Sequence, residues 1–314
     1  MTANDAELVV GVDGGGSKTI AWVAAKDAAL GGAPRGVGQA GPGNPRAVGF
    51  ETALRNIELA IDSARQAAGW NRQTVHAACL ALAGADRPDE RQVIERWAAG
   101  RQLARRLVIT NDAEPLLAAA SPAGWGIALI AGTGSFAVGR APDGQSARCG
   151  GWGYLVGDEG SGYALALAGM RCVTRAADGR GPATQLLDRL LADWGISSPA
   201  ELVPVLYGAE MTRRRIAEFA PVVLETARGG DPVAAQLVVD AAAELAVLVS
   251  TLRRRLGLAT GTFPLALAGG VLVHAAELRE QLGRQLAATG DVPAEVTVVT
   301  EPVRGAVALA RRLA

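Results

Sequence analysis

The sequence predicts an α/β protein built as two lobes, on three observations. The chain is 314 residues long, more than one compact core usually holds. A strand, glycine turn, strand pattern near the N-terminus recurs in the middle of the chain. The second half has helical spacing of apolar residues, and strand signals return only near the end.

In chain order, LVVGVD, GGGSK and TIAWVAA over Leu8 to Ala25 read as a hairpin: two apolar runs flanking a turn that only small residues make easily. Val48 to Ala68 has helical spacing. Val75 to Leu82 reads as a buried strand ending at Gly84, and Pro88 to Ala98 as a helix opened by proline. Leu107 to Thr110 is a short strand running into Asn111-Asp112, after which Ala113 to Ala120 favours helix. Gly126 to Gly139 repeats the hairpin plan as GIALIA, GTGS, FAVG. Helices are then predicted over Ala164 to Ala177, Ala183 to Trp194, Met211 to Ala227 and Pro232 to Leu256. Phe263 to Ala268 reads as a strand meeting Gly269-Gly270. A helix over about 273–287, a strand over 295–300 and a helix over 303–313 follow.

Composition narrows the function classes. Thirty-one basic and thirty-one acidic residues give zero formal net charge, which supplies no field for nucleic acid or an acidic membrane surface. Three dispersed cysteines, Cys79, Cys149 and Cys172, and two histidines, His76 and His274, support neither a disulfide framework nor a zinc site. A cytoplasmic protein is expected. MTANDAELVV has acidic residues where a secretory leader carries positive charge, and apolar windows such as Ala241 to Leu252 are interrupted by charge, so no leader and no membrane span is predicted.

The chemistry-bearing residues sit at the turns. Gly14, Gly15, Gly16, Ser17 and Lys18 follow Asp13 with little side-chain shielding of the backbone N–H groups, suited to a phosphate-binding nest or to an ordinary Asp-Gly hairpin. The following strand and the lysine position exclude a P-loop. The turn Gly132-Thr133-Gly134-Ser135 adds two hydroxyls. Asp112, where a strand ends and a helix begins, suits either a helix cap or a carboxylate that orients an attacking hydroxyl. Cys149 to Gly162 (CGGWGYLVGDEGSG) holds six glycines, two aromatics and an Asp-Glu pair, a poor recipe for regular structure. It reads as a loop presenting Gly151, Trp152 and Asp158 to a sugar, or as a tight structural loop with Trp152 and Tyr154 in the core. Asn44, in GPGNP, offers an amide to a sugar but is also at home in a turn. Gly269-Gly270 suits flat packing against adenine or close helix–strand packing. The histidines and cysteines take structural readings, and Arg213 to Arg215 and Arg253 to Arg255 solvated helix faces.

DGGGSKT, ITNDA, AGTGS, CGGWGYLVGDEGS and ALAGGV, in this order, resemble the phosphate, catalytic-aspartate, second phosphate, sugar and adenosine motifs of N-acetylglucosamine kinases and glucosamine kinases. These belong to the actin-like ATPase superfamily, to which the BadF-type activator ATPases are also related. The resemblance spans most of the chain, and the GGWG-to-GDEGS combination is its most specific part. It implies two actin-like (ribonuclease H-like) lobes with an ATP and sugar cleft between them. The first lobe would cover 1–115, joined by a returning helix 302–314, and the second 116–301. It further implies Asp112 as base toward the sugar 6-hydroxyl, and sugar contacts from Asn44, Ser135, Gly151, Trp152 and Asp158. Mg2+ would be organised through water by Asp13, and ATP surrounded by Gly14 to Lys18, Thr133, Gly134, Gly269 and Gly270. Small members of the family are often dimers, so a homodimer is an expectation. The rival readings are an activator ATPase of the 2-hydroxyacyl-CoA dehydratase type, which needs clustered thiolates, and a sugar or nucleotide sensor without turnover. A repressor-type sugar kinase is disfavoured by the lack of a cysteine-rich motif and of a DNA-binding extension.

Overall fold

The computed structural model describes residues 7–28, 32–70, 74–85, 87–121 and 123–314. The leader reading falls largely on residues 1–6, outside the described residues. The chain divides into two compact units, Met1–Gly124 with Glu301–Ala314, and Trp125–Thr300.

The first unit is a five-stranded sheet of β1 (Leu8–Gly14), β2 (Thr19–Ala25), β3 (Gly36–Ala40), β4 (Val75–Leu82) and β5 (Ala104–Thr110), in the order β3-β2-β1-β4-β5. The first three strands are antiparallel, and β4 and β5 run parallel to β1. Alternation along β1 sends side chains to two cores. Val10 and Val12 pack with Ile57, Ala60 and Ala64 of the helix Phe50–Ala67. Val9 packs on the other face with Trp22, Cys79, Val303, Ala306 and Val307.

That second face is closed by the helix Val303–Leu313. Its approach requires glycine twice: a Cβ on Gly11 would strike the Val307 backbone, and one on Gly305 the Pro115 carbonyl. The helix Glu114–Ala120, which carries Pro115, therefore stays with the first unit. The boundary lies after Gly124 rather than at 115.

The second unit repeats the plan with β6 (Gly126–Ala131), β7 (Ser135–Arg140), β8 (Ser146–Gly150), β9 (Pro264–Ala268) and β10 (Glu295–Val298), in the order β10-β9-β6-β7-β8. Again the first three are antiparallel and the last two join in parallel. The echoed hairpin of the sequence is thus one part of a repeated five-stranded unit. Ile127, Leu129 and Ala137 of this sheet join a core with Leu245, Val249 and Leu252 of the helix Pro232–Arg255. That helix, at 24 residues, is long and apolar enough to cross a membrane by length and composition, contrary to the sequence reading. Half of its most apolar stretch is buried in the core.

Several expected elements differ. The helix expected over Val48 to Ala68 is two, Pro45–Val48 and Phe50–Ala67, separated by Gly49 at φ +78°. Met211 to Ala227 likewise divides into Arg213–Ala217 and Ala220–Arg228. Cys149 and Gly150 belong to β8 rather than to an irregular loop, and β3 and β8 were not expected as strands.

Candidate functional site

The first unit gathers acidic groups at one end of its sheet. Register pairs Asp13 with Ala81, and Ala81 with Thr110, so Asp13 and Thr110 lie on one row across three strands. Asp112 follows two residues beyond that row. The Asp13 carboxyl is pushed up to about 6, first by burial, then by the negative charge of Asp112, with Lys18 opposing. Cap duty before the helix Glu114–Ala120 falls to Asn111, whose Oδ1 accepts from the N–H groups of Ala113 and Glu114 at 3.1 Å each.

The adjoining turn is a tight one, with the Gly15 N–H donating to the Lys18 carbonyl at 2.9 Å and Gly16, Ser17 and Lys18 exposed. Gly14, Gly15 and Gly16 all lie outside the left-handed region, so no alternating right- and left-handed nest forms there. A Cβ on Gly14 would stand 2.5 Å from the Leu82 side chain, which would have to shift, and 3.5 Å from the Gly43 backbone. Gly43 belongs to the loop that presents Asn44. The Asn44 Oδ1 accepts from the Arg46 N–H at 2.9 Å, so the amide NH2 is the group it can offer a ligand.

In the second unit, the turn Gly132–Ser135 sits against the start of the helix Gly162–Ala177. The Gly162 N–H donates to the Gly132 carbonyl at 2.7 Å. Gly269, at φ +89°, lies so close to the Ala131 carbonyl that no side chain fits, and Gly270 opens the short helix Gly270–His274 beside Gly132. A cavity of about 570 Å³ opens at this junction. Gly132, Thr133, Gly270 and Val271 form one side, and Ala220, Pro221 and Leu224 an apolar wall. Its volume and apolar character suit a nucleoside. Arg214, Glu218, Arg228 and His274 also line it. Arg214 lines the cavity with its side chain still 74 % exposed, in keeping with a solvated helix face, and His274 at the end of the helix Gly270–His274 is exposed as well. Their place at the cavity depends on how these helices approach each other.

The Gly151-to-Ser161 segment combines a buried acid with an exposed apolar tip. Asp158 is 7 % exposed at φ +60°, a left-handed conformation uncommon for a residue with a side chain. Its Oδ1 accepts from the Ser135 N–H at 3.4 Å. Trp152 is 79 % exposed, and Leu155 and Val156 are exposed beside it, so the reading that buries Trp152 and Tyr154 in the core fails. Tyr154 instead meets the Tyr163 ring edge-on at 5.3 Å and the Arg213 guanidinium at 4.8 Å. Gly151 holds φ +73°, the left-handed region that favours glycine, and a Cβ there would stand 3.0 Å from the Phe136 Cβ and displace the Arg148 guanidinium.

Comparison with known proteins finds relatives that span nearly the whole chain. The chain is 30 % identical over 305 residues, 97 % of its length and 98 % of the relative's, to an N-acetylmuramic acid/N-acetylglucosamine kinase of Clostridium acetobutylicum. It is 30 % identical over 76 % of both chains to an N-acetyl-D-glucosamine kinase of Dictyostelium discoideum. A crystal structure from Chromobacterium violaceum, provisionally assigned as an N-acetylglucosamine kinase, superposes with a TM-score of 0.74 at 26 % identity, covering 97 % of this chain and 99 % of that one. A Streptomyces griseus ROK family glucokinase in complex with glucose and AMPPNP shares the fold, with a TM-score of 0.55 at 17 % identity over 96 % of this chain and 98 % of the other. Residues 10–310 match the model of one family, and the two-sheet α/β chain belongs to it: the BadF/BadG/BcrA/BcrD ATPase family.

Proposed function

We propose that the protein transfers the γ-phosphoryl group of ATP to the 6-hydroxyl of an amino sugar, N-acetylglucosamine or glucosamine. The observation that carries this reading is the Asp13–Asp112 pair at the carboxyl ends of β1 and β5, in a chain related over nearly its whole length to an amino-sugar kinase. In phosphoryl transfer a protein mainly positions groups and stabilises charge. Asp112 is the group that orients and deprotonates the hydroxyl, and Asn111 caps the helix Glu114–Ala120 beside it.

In the second unit the nucleoside end of ATP fits the cavity beside Gly132, Thr133 and Gly270, with the turn Gly132–Gly134 as that unit's phosphate turn. In the first unit the turn Gly14–Lys18, with Gly16, Ser17 and Lys18 exposed, is the corresponding phosphate turn. Asn44, Gly151, Trp152 and Asp158 serve the sugar, Trp152 by laying its ring on an apolar sugar face. The carboxylates fit Mg2+. No group of three His, Cys, Asp or Glu able to hold a metal occurs among the described residues, so Asp13 would share the ion with phosphate and water oxygens, as magnesium prefers. Bound there, the ion neutralises developing phosphate charge.

A coupled assay with glucose, glucosamine, N-acetylglucosamine and N-acetylmannosamine tests the proposal. ATP turnover is expected only with an amino sugar present. Sugar-independent hydrolysis, or none with any hexosamine, overturns it.

A further inference from the structure

The two hairpins share a device that neither motif predicts. The first residue of the second strand of each hairpin carries a hydroxyl: Thr19, paired with Gly14, and Ser135, paired with Ala131. Both are buried, Thr19 at 0 % and Ser135 at 1 % exposure. Each donates to a carbonyl in the loop that leaves the third strand of its own sheet. The Thr19 hydroxyl reaches the Gly41 carbonyl at 2.8 Å after β3, and the Ser135 hydroxyl the Glu159 carbonyl at 2.6 Å after β8.

A second contact reinforces each tie. The Gly43 N–H donates to the Gly15 carbonyl at 3.0 Å, and the Ser135 N–H to the Asp158 carboxylate at 3.4 Å. Each pairing is close enough to demand glycine. A Cβ on Gly43 would stand 2.5 Å from the Thr19 hydroxyl, and one on Gly134 would stand 2.8 Å from the Asp158 carboxylate.

We propose that Thr19 and Ser135 are positioning residues, a twice-used hydroxyl latch that locks each phosphate turn to the sugar-facing loop of the same unit. Ser135 then acts on the sugar through Asp158 and Glu159 rather than by touching it, because its proton is committed to a backbone carbonyl and its side chain is sealed from solvent. Thr19 does the same for Asn44 through Gly41 and Gly43. A turn and its loop move as one body, so losing a latch disturbs both ligands at once. This rests on the kinase reading of the site.

The test compares Thr19→Val, Ser135→Ala and Thr19→Ser with the wild-type chain. Thr19→Val keeps the volume and Ser135→Ala only shortens the side chain, while Thr19→Ser keeps the hydroxyl. Each hydroxyl loss is expected to raise KM for N-acetylglucosamine and for ATP together, by about 2–10-fold, the scale of one net hydrogen bond. Thr19→Ser restores wild-type values. A rise in the sugar KM alone would make Ser135 a direct ligand and overturn the latch, as would a lowered Tm with both KM values unmoved. If the wild-type chain phosphorylates no amino sugar, the kinase reading falls. The latch is then decided by the Kd of a non-hydrolysable ATP analogue with Mg2+: weakened by Thr19→Val and Ser135→Ala and unchanged by Thr19→Ser supports it, and equal affinity throughout rejects it.

Discussion

The two units share a strand order and differ in what they do with it. At the same end of the repeated hairpin, the first unit concentrates charge, with burial and the negative charge of Asp112 pushing the Asp13 carboxyl up. The second unit encloses space, a cavity of about 570 Å³ beside Thr133 and Gly270. A five-stranded scaffold with two antiparallel joins and two parallel ones leaves its hairpin turn open to ligands. Which task the turn takes depends on the residues just past the strands on the parallel side of the sheet. In the first unit these are Asn111-Asp112 after β5, which pairs with β4. In the second they are Gly269-Gly270 after β9.

Breaking the charged half has the largest expected effect. Asp112→Asn should lower kcat by about 10²–10⁴-fold, the usual worth of a general base, while sugar binding stays measurable by calorimetry. Near-normal turnover would remove Asp112 from the chemistry. Filling the spacious half should act on affinity instead. A Cβ on Gly270 meets nothing within 4 Å, and the residue is not left-handed, so Gly270→Val intrudes on the cavity without straining the backbone. We expect the ATP KM to rise about 10-fold with an unchanged Tm, on the scale of one misplaced apolar contact; a fall in Tm with normal ATP KM would count against the cavity.

The smallest effect sharpens the charged side by pH. Asp13 holds its proton in the folded state up to about pH 6, whereas the unfolded chain releases it near 3.8. The folded state thus binds more protons between these values, so this group's contribution to stability declines as pH rises through that window. Urea midpoints of the ligand-free protein at pH 4 and pH 6.5 should show a decline that Asp13→Asn flattens. An identical slope in the variant would mean that other groups set it.

Much of this was legible in the sequence because glycine turns and apolar runs are local signals. The hairpin β1–β2 and its echo β6–β7 follow from continuous apolar runs on either side of glycine. The third strands were not. β3 reads GVGQA, and its glycines look like loop residues until the helix Phe50–Ala67 is in place. A Cβ on Gly36 or Gly38 would then strike the carbonyls of Ala64 or Ala60. Those glycines answer to a helix many residues away, which no local pattern encodes. The same holds for Arg214 and His274, whose place at the cavity depends on how separate helices pack. Asp112 lay between these cases: its position was readable, but that its neighbour Asn111 takes the N–H groups of Ala113 and Glu114 was not.

The closing helix Val303–Leu313 has a consequence for how the chain matures. The second unit is one unbroken stretch of sequence, Trp125–Thr300, whereas the first needs residues on both sides of it. Until Val303, Ala306, Val307 and Ala310 arrive, Val9, Trp22, Cys79 and Ala81 form an apolar sheet face without its partner. During synthesis the second unit can therefore finish first, and the half that carries Asp112 waits as a sticky intermediate of the kind chaperones guard.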